Sequence, residues 1–131
     1  MLKVCKTQTP AETHPNTRIV SIKEPKLYKP DPATALKHPS GRPVRVVTVD
    51  VGLKYNQLRC LVRRGVEVLQ VPWDYDFPAL AGKDYDGLFI SNGPGDPAMM
   101  ESTVKHIKSA MDEARTPIFG ICLGHQLLAR A

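Results

Sequence analysis

The sequence predicts an α/β fold, an open parallel sheet with helices on both faces. Three observations lead there. Short apolar runs, rich in β-branched residues, begin at Val44, Val66, Gly87 and Pro117. Stretches with apolar residues three and four apart follow several of them, as amphipathic helices require. Glycine and proline cluster where the runs stop, so each strand feeds a tight loop. Strands alternating with helices imply parallel neighbours joined by right-handed crossovers.

Each element has its own signature. Val44 to Val51 is β-branched and mostly apolar, as expected of a central strand covered on both faces. Gly52 breaks it, and Leu53 to Arg64 carries Leu53, Gln57, Leu58, Leu61 and Val62 at helical spacing, with Gly65 as C-cap. Cys60 is read as a core residue on the apolar side of that helix. Val66 to Pro72 is a second strand, ended by proline. Trp73 to Asp86 is turn-rich, with one helical turn around Pro78-Ala79-Leu80. Gly87 to Ile90 is a third strand, followed by the tight loop Ser91-Asn92-Gly93-Pro94-Gly95-Asp96-Pro97. A helix from about Met100 to Ala114 turns Val104, Ile107, Met111 and Ala114 inward and leaves His106 on a polar face. Pro117 to Ile121 is the fourth strand, and Gln126 to Ala131 are good helix formers.

Residues 1–43 differ in texture. They hold seven of the twelve prolines and little periodicity, and Lys23 to Pro32 reads as extended, so this is a basic linker or strap. They also hold eight Lys/Arg against three acids, while the rest carries ten of each sign. The whole net charge of +5 therefore sits outside the globular part. A nucleic-acid binder would show a basic, aromatic-bearing face on its folded unit, so that class is set aside. No run approaches the roughly 20 apolar residues that span a bilayer, and no apolar region follows the N-terminal Met1 to Lys6 as in a signal peptide. Three cysteines, at positions 5, 60 and 122, have no metal-ligand spacing. They read as free thiols in a reducing, cytoplasmic setting, with no metal.

The chemistry converges on two loops. Gly120-Ile121-Cys122-Leu123-Gly124 stands between the fourth strand and the last helix. A nucleophile flanked at two residues by glycines, at a strand-to-helix corner, is a nucleophile elbow with cysteine in place of serine. A thiol at a helix N-terminus is placed where free amides and the helix dipole favour its thiolate. The Leu123 amide is then free to donate to an oxyanion. The Ser91–Pro97 loop offers glycines able to take positive φ, prolines that fix φ, and the amides of Gly93 and Gly95 as a second donor. Both loops leave the carboxyl ends of their strands, where ligands of open α/β sheets bind.

These residues resemble a known family. Ser91 to Pro97, together with Phe119-Gly120-Ile121-Cys122-Leu123-Gly124-His125-Gln126, resembles class I (triad) glutamine amidotransferases, and more narrowly the glutaminase domain of carbamoyl phosphate synthetase. Val49-Asp50-Val51-Gly52-Leu53-Lys54-Tyr55-Asn56-Gln57-Leu58-Arg59 is similar to the opening strand and helix of that domain. Glu24-Pro25-Lys26 through His38-Pro39-Ser40-Gly41, with Val71-Pro72-Trp73-Asp74-Tyr75-Asp76, is similar to the fungal multifunctional pyrimidine-pathway proteins. The likeness covers about residues 20–131.

The resemblance implies hydrolysis of the L-glutamine side-chain amide by Cys122, with oxyanion amides from Leu123 and Gly93. It implies substrate contacts at Gly93, Gly95, Leu123 and Gln126. Ammonia would feed a synthetase domain or subunit that makes carbamoyl phosphate from bicarbonate and ATP. The chain itself has no ATP-binding signature and calls for no cofactor, nucleic acid or membrane. The family's triad ends in a His-x-Glu pair well beyond the elbow, whereas this chain runs nine residues past Cys122. Residues 44–131 are thus expected to be the N-terminal portion of an amidotransferase domain, incomplete and with little turnover alone. Residues 1–43 are a linker or the remnant of a preceding small domain. None of His14, His38, His106 and His125 is expected to act as the base. Two rivals stay open: a thiol-dependent α/β hydrolase of esters or lactones, and a truncated, non-catalytic homologue that binds a partner.

Overall fold

The computed structural model of the chain describes residues 17, 20–80, 85–113 and 116–131. Cys5, His14 and Ala114 lie outside them. Among the described residues five strands form one sheet: β1 (Lys26–Tyr28), β2 (Arg45–Asp50), β3 (Glu67–Pro72), β4 (Gly87–Ile90) and β5 (Ile118–Gly120), in spatial order β1-β3-β2-β4-β5. The pairs β2–β3, β2–β4 and β4–β5 are parallel. The four strands expected from the apolar runs are therefore present, and parallel.

The fifth strand was not expected. β1 lies antiparallel on β3, pairing Lys26 with Gln70 and Tyr28 with Val68. Its Lys-Leu-Tyr sequence is short and mostly exposed, so no apolar run marks it. It is an edge strand held by main-chain pairing, with a lysine of the kind that edges commonly carry.

Among the described residues three helices cover the sheet: α1 (Tyr55–Arg63), α2 (Glu101–Glu113) and α3 (Leu123–Arg130). Side chains alternate across a strand. Val47, Val49 and Val51 of β2 and its end join Ile107, Leu123 and Leu127 in the main core. Val46, one residue out of phase, lines a groove on the other face together with Gln57, Cys60 and Leu61 of α1. Helices thus pack on both faces. α1 ends as expected, with Gly65 at φ +81 just past its C-cap residue. Single 3₁₀ turns form at Phe77–Leu80 and Pro97–Met99.

Three side-chain expectations need correction. Cys60 is exposed and not in the core. At 100° per residue it is rotated about 200° from Leu58, the residue of α1 that is buried. Met111 is 45% exposed, because the buried stripe of α2 runs through Thr103, Ile107 and Ala110 and leaves Met111 on its rim. His106 is only partly exposed: its ring sits edge-on to Phe77, centroids 5.6 Å apart. No described helix is long and apolar enough to cross a membrane.

Candidate active site

The strand order places the site. From β2 the chain moves to β3 on one side, then returns to β4 on the other. The carboxyl ends of β2 and β4 therefore flank the point where the winding reverses, and a crevice opens there in such sheets. Three loops meet at it: residues 51–54 after β2, residues 91–97 after β4, and residues 121–122 after β5.

Cys122 is the N-cap residue of α3, with φ 52 and ψ −111. Among the described residues it is the only non-glycine with positive φ. An L-residue held there costs of order 1–3 kcal/mol, and such strain concentrates at functional corners. The thiol is exposed, as a nucleophile must be. Leu123 begins the helix, and its amide donates to no partner among the described residues. That follows from its position, since the first amides of a helix have no intrahelical acceptor.

The flanking glycines serve close approach and not, as expected for the loop glycines, positive φ: none of Gly93, Gly95, Gly120 and Gly124 lies in that region. A methyl group on Gly124 would stand 2.2 Å from Ile90 O and 2.8 Å from Ser91 O. The start of α3 therefore rests directly on the backbone where β4 becomes the Ser91–Pro97 loop. A methyl group on Gly93 would stand 1.8 Å from Val51 O, so that loop in turn rests on the end of β2. Built methyl groups on Gly93 and Gly95 come within 3.1 and 3.4 Å of Leu123 Cδ2. The structure thus brings Gly93, Gly95, Leu123 and Cys122 into one neighbourhood. The amides of Gly93 and Gly95 also have no partner among the described residues. Gln126 is exposed one turn further along α3, its N–H bonded to Cys122 O at 3.0 Å.

Sequence patterns did not reveal the polar stitching beneath the loops. Asp50, 2% exposed, accepts from the main-chain N–H of Gly52 (2.9 Å), Leu53 (2.8 Å) and Ile22 (3.0 Å) and from Gln70 Nε2 (2.8 Å). Ser91, fully buried, bonds Val51 N–H and Asn92 O. Asp96 caps the following turn by accepting from Ala98 N–H at 2.8 Å, and this one contact the sequence does offer, aspartate being a common N-cap residue. Thr17 comes close to Gly95, its Oγ1 2.2 Å from where a Cβ would stand. The sequence carried no signal for that contact from the proline-rich segment.

The described histidines lie elsewhere. His38 neighbours Asp86 at the opposite end of the sheet, 4.0 Å away, His106 neighbours Asp76 at 4.0 Å, and His125 is exposed on α3. None is hydrogen-bonded to Cys122 among the described residues. No described group of three His, Cys, Asp or Glu is arranged to hold a metal. An apolar groove of about 590 Å³ lies on the α1 face, lined by Val46, Cys60, Leu61, Phe89, Phe119 and Ile121 among others. It does not include Cys122, Gly93 or Gly95, so it is not the crevice of the elbow.

Comparison with known proteins points the same way. A family model described as glutamine amidotransferase class-I matches residues 47–131. The multifunctional protein pyrABCN of Emericella nidulans is 71% identical over 121 residues, 89% of this chain and 5% of the relative. The multifunctional protein pyr-3 of Neurospora crassa is 71% identical over 112 residues, 86% of this chain and 6% of the relative. The carbamoyl phosphate synthase arginine-specific small chain of Kluyveromyces lactis is 47% identical over 118 residues, 87% of this chain and 27% of the relative. The chain thus spans a small part of each. Among solved structures, a protein described as a GMP synthase subunit from Thermoplasma acidophilum superposes with TM-score 0.55 at 31% identity, covering 66% of this chain and 43% of that one.

Proposed function

The chain belongs to the class-I glutamine amidotransferase family, and from that premise we propose that it carries the nucleophile half of a glutaminase serving carbamoyl phosphate synthesis. The substrate is L-glutamine, and the ammonia released goes to a synthetase domain or subunit. The relatives named for carbamoyl phosphate synthase and the multifunctional proteins support that destination. The proposal includes a pyrimidine-pathway role in the cytoplasm, and the similarity to the fungal multifunctional proteins supports the pathway.

The chemistry assigned to Cys122 is addition. Its thiolate forms a C–S bond to the glutamine carboxamide carbon, and the carbonyl π pair moves onto oxygen. Amides of Leu123 and Gly93 hold that oxyanion. Collapse breaks the C–N bond, and ammonia leaves once its nitrogen is protonated. Water then attacks the glutamyl thioester, releasing glutamate and the thiol. Gly95 and Gln126 contact the substrate. A base must move the protons, and we assign it to a His-x-Glu pair of the kind the family carries beyond the elbow, since none of the four histidines here is followed by such a glutamate.

One observation carries the reading: an exposed cysteine at a strained helix corner, beside unpartnered amides from two loops. The test is labelling of the 131-residue chain with the chloromethyl ketone analogue of L-glutamine. Cys122 should be modified, with protection by L-glutamine and not by D-glutamine, and ammonia release should not exceed that of Cys122→Ser. Labelling that prefers an ester-like electrophile and ignores L-glutamine would favour a thiol-dependent hydrolase and overturn the proposal.

A further inference from the structure

We propose that Ser91 is a positioning residue that locks the orientation of the Asn92–Gly93 peptide, and so aims the Gly93 amide. This role rests on the assignment of the Gly93 amide as an oxyanion donor to Cys122, and it names the group that controls it.

A serine hydroxyl has one proton and two lone pairs. Ser91 is fully buried, so its bonds are made within the protein. The Val51 N–H donates to Ser91 Oγ at 3.0 Å. That occupies a lone pair and leaves the hydroxyl proton for a second partner. The partner is Asn92 O, at 2.9 Å. The C=O of Asn92 and the N–H of Gly93 belong to one planar trans peptide, and in such a unit they point in opposite directions. Pinning the carbonyl toward a buried hydroxyl therefore turns the Gly93 N–H away from it. That N–H has no partner among the described residues, as an amide kept for a ligand should.

The anchor is itself fixed. Ser91 N–H donates to Val49 O at 3.1 Å, so the residue continues the ladder between β2 and β4. Ser91 thus ties the peptide to the end of β2 on one side and to the loop on the other. Without the hydroxyl, nothing donates to the Asn92 carbonyl from beneath, and the peptide can rotate so that its oxygen faces the crevice. An oxygen there would repel the negative charge that the site has to stabilise. A peptide aimed correctly a tenth of the time lowers the oxyanion-dependent rate about tenfold.

The experiment compares two thiol reagents on the intact 131-residue chain. The thiolate adds to the carbonyl carbon of chloroacetone and the π pair moves onto oxygen; sulfur then displaces chloride from the neighbouring methylene carbon, and the oxyanion restores C=O as the first C–S bond breaks. Iodoacetamide reacts by direct displacement of iodide at its methylene carbon and needs no oxyanion amide. The readout is the ratio of the two rate constants at Cys122, measured by mass spectrometry. Ser91→Ala should lower that ratio about tenfold, while Ser91→Thr, which keeps the hydroxyl, should hold it near the parent value. A ratio unchanged in Ser91→Ala, a parallel fall for both reagents, or an equal loss in Ser91→Thr would overturn the assignment. Should Ser91→Ala lose its circular dichroism spectrum, Ser91→Cys replaces it. Its volume is similar and its donor weaker, so the ratio should fall, and an unchanged ratio overturns the role. Chloroacetone carries no glutamine character, so a failure of the glutamine assignment leaves this result readable on its own.

Discussion

At Cys122 local strain and function compete at a single residue. Its φ of 52 suits glycine better than any L-residue with a side chain. Relief of that strain is worth of order 1–3 kcal/mol, and glycine's extra freedom in the unfolded chain costs about 0.4–1 kcal/mol. Strain relief wins, so Cys122→Gly should raise unfolding free energy by about 1 kcal/mol. Urea denaturation of the two chains checks this, and a destabilised glycine variant would show that the corner is relaxed. The cysteine, its loop partners and the glycines on either side were legible in the sequence because the motif is local. Ser91 and Asp50 were not legible as parts of the site. Their partners lie up to 40 positions away, and no spacing rule reports a buried hydroxyl meeting a distant amide.

At the level of elements, apolar runs identified β2 to β5, since buried parallel strands are marked by composition. β1 escaped for the opposite reason: an exposed edge strand is held by its backbone, and its side chains carry no signature. Cys60 and Met111 were misplaced because a buried helix stripe is narrower than the list of apolar residues on it. One join between elements invites a measurement. Arg42 grips Asp86 with two bonds of 2.7 Å, and Arg45 N–H adds a third at 2.9 Å, tying residues 37–45 to the start of β4. The Arg42 hydrogen bonds, more than anything else, hold the Asp86 carboxyl below its usual range, with burial opposing them. A carboxyl whose folded value is depressed contributes stability above its unfolded value, and loses it as pH falls through the folded value. Unfolding free energy should therefore decline as pH drops below about 4. Asp86→Asn should flatten that decline and cost about 1 kcal/mol at pH 7, discounted for partial exposure. Denaturation at a series of pH values reads both.

Across the whole molecule, the two faces are unequal. The α2–α3 side is closed by the main core, whereas the α1 side leaves an apolar groove where Phe89 and Phe119 stack at 6.0 Å. Phe119 is 64% exposed on β5, which has no strand beyond it among the described residues. Open edges and apolar patches of this kind promote association. The 131-residue chain should therefore self-associate at micromolar concentration, and Phe119→Lys should shift it toward monomer in sedimentation velocity. A monodisperse monomer for the parent chain would contradict this.

The backbone-on-backbone contacts of Gly93 with Val51 and of Gly124 with Ile90 have one more consequence. No side chain stands between these segments, so there is no rotamer whose loosening could let them drift apart by degrees. Heating should then leave the preference of Cys122 for chloroketone over iodoacetamide constant up to the melting transition and abolish it there, in one step with the loss of ellipticity.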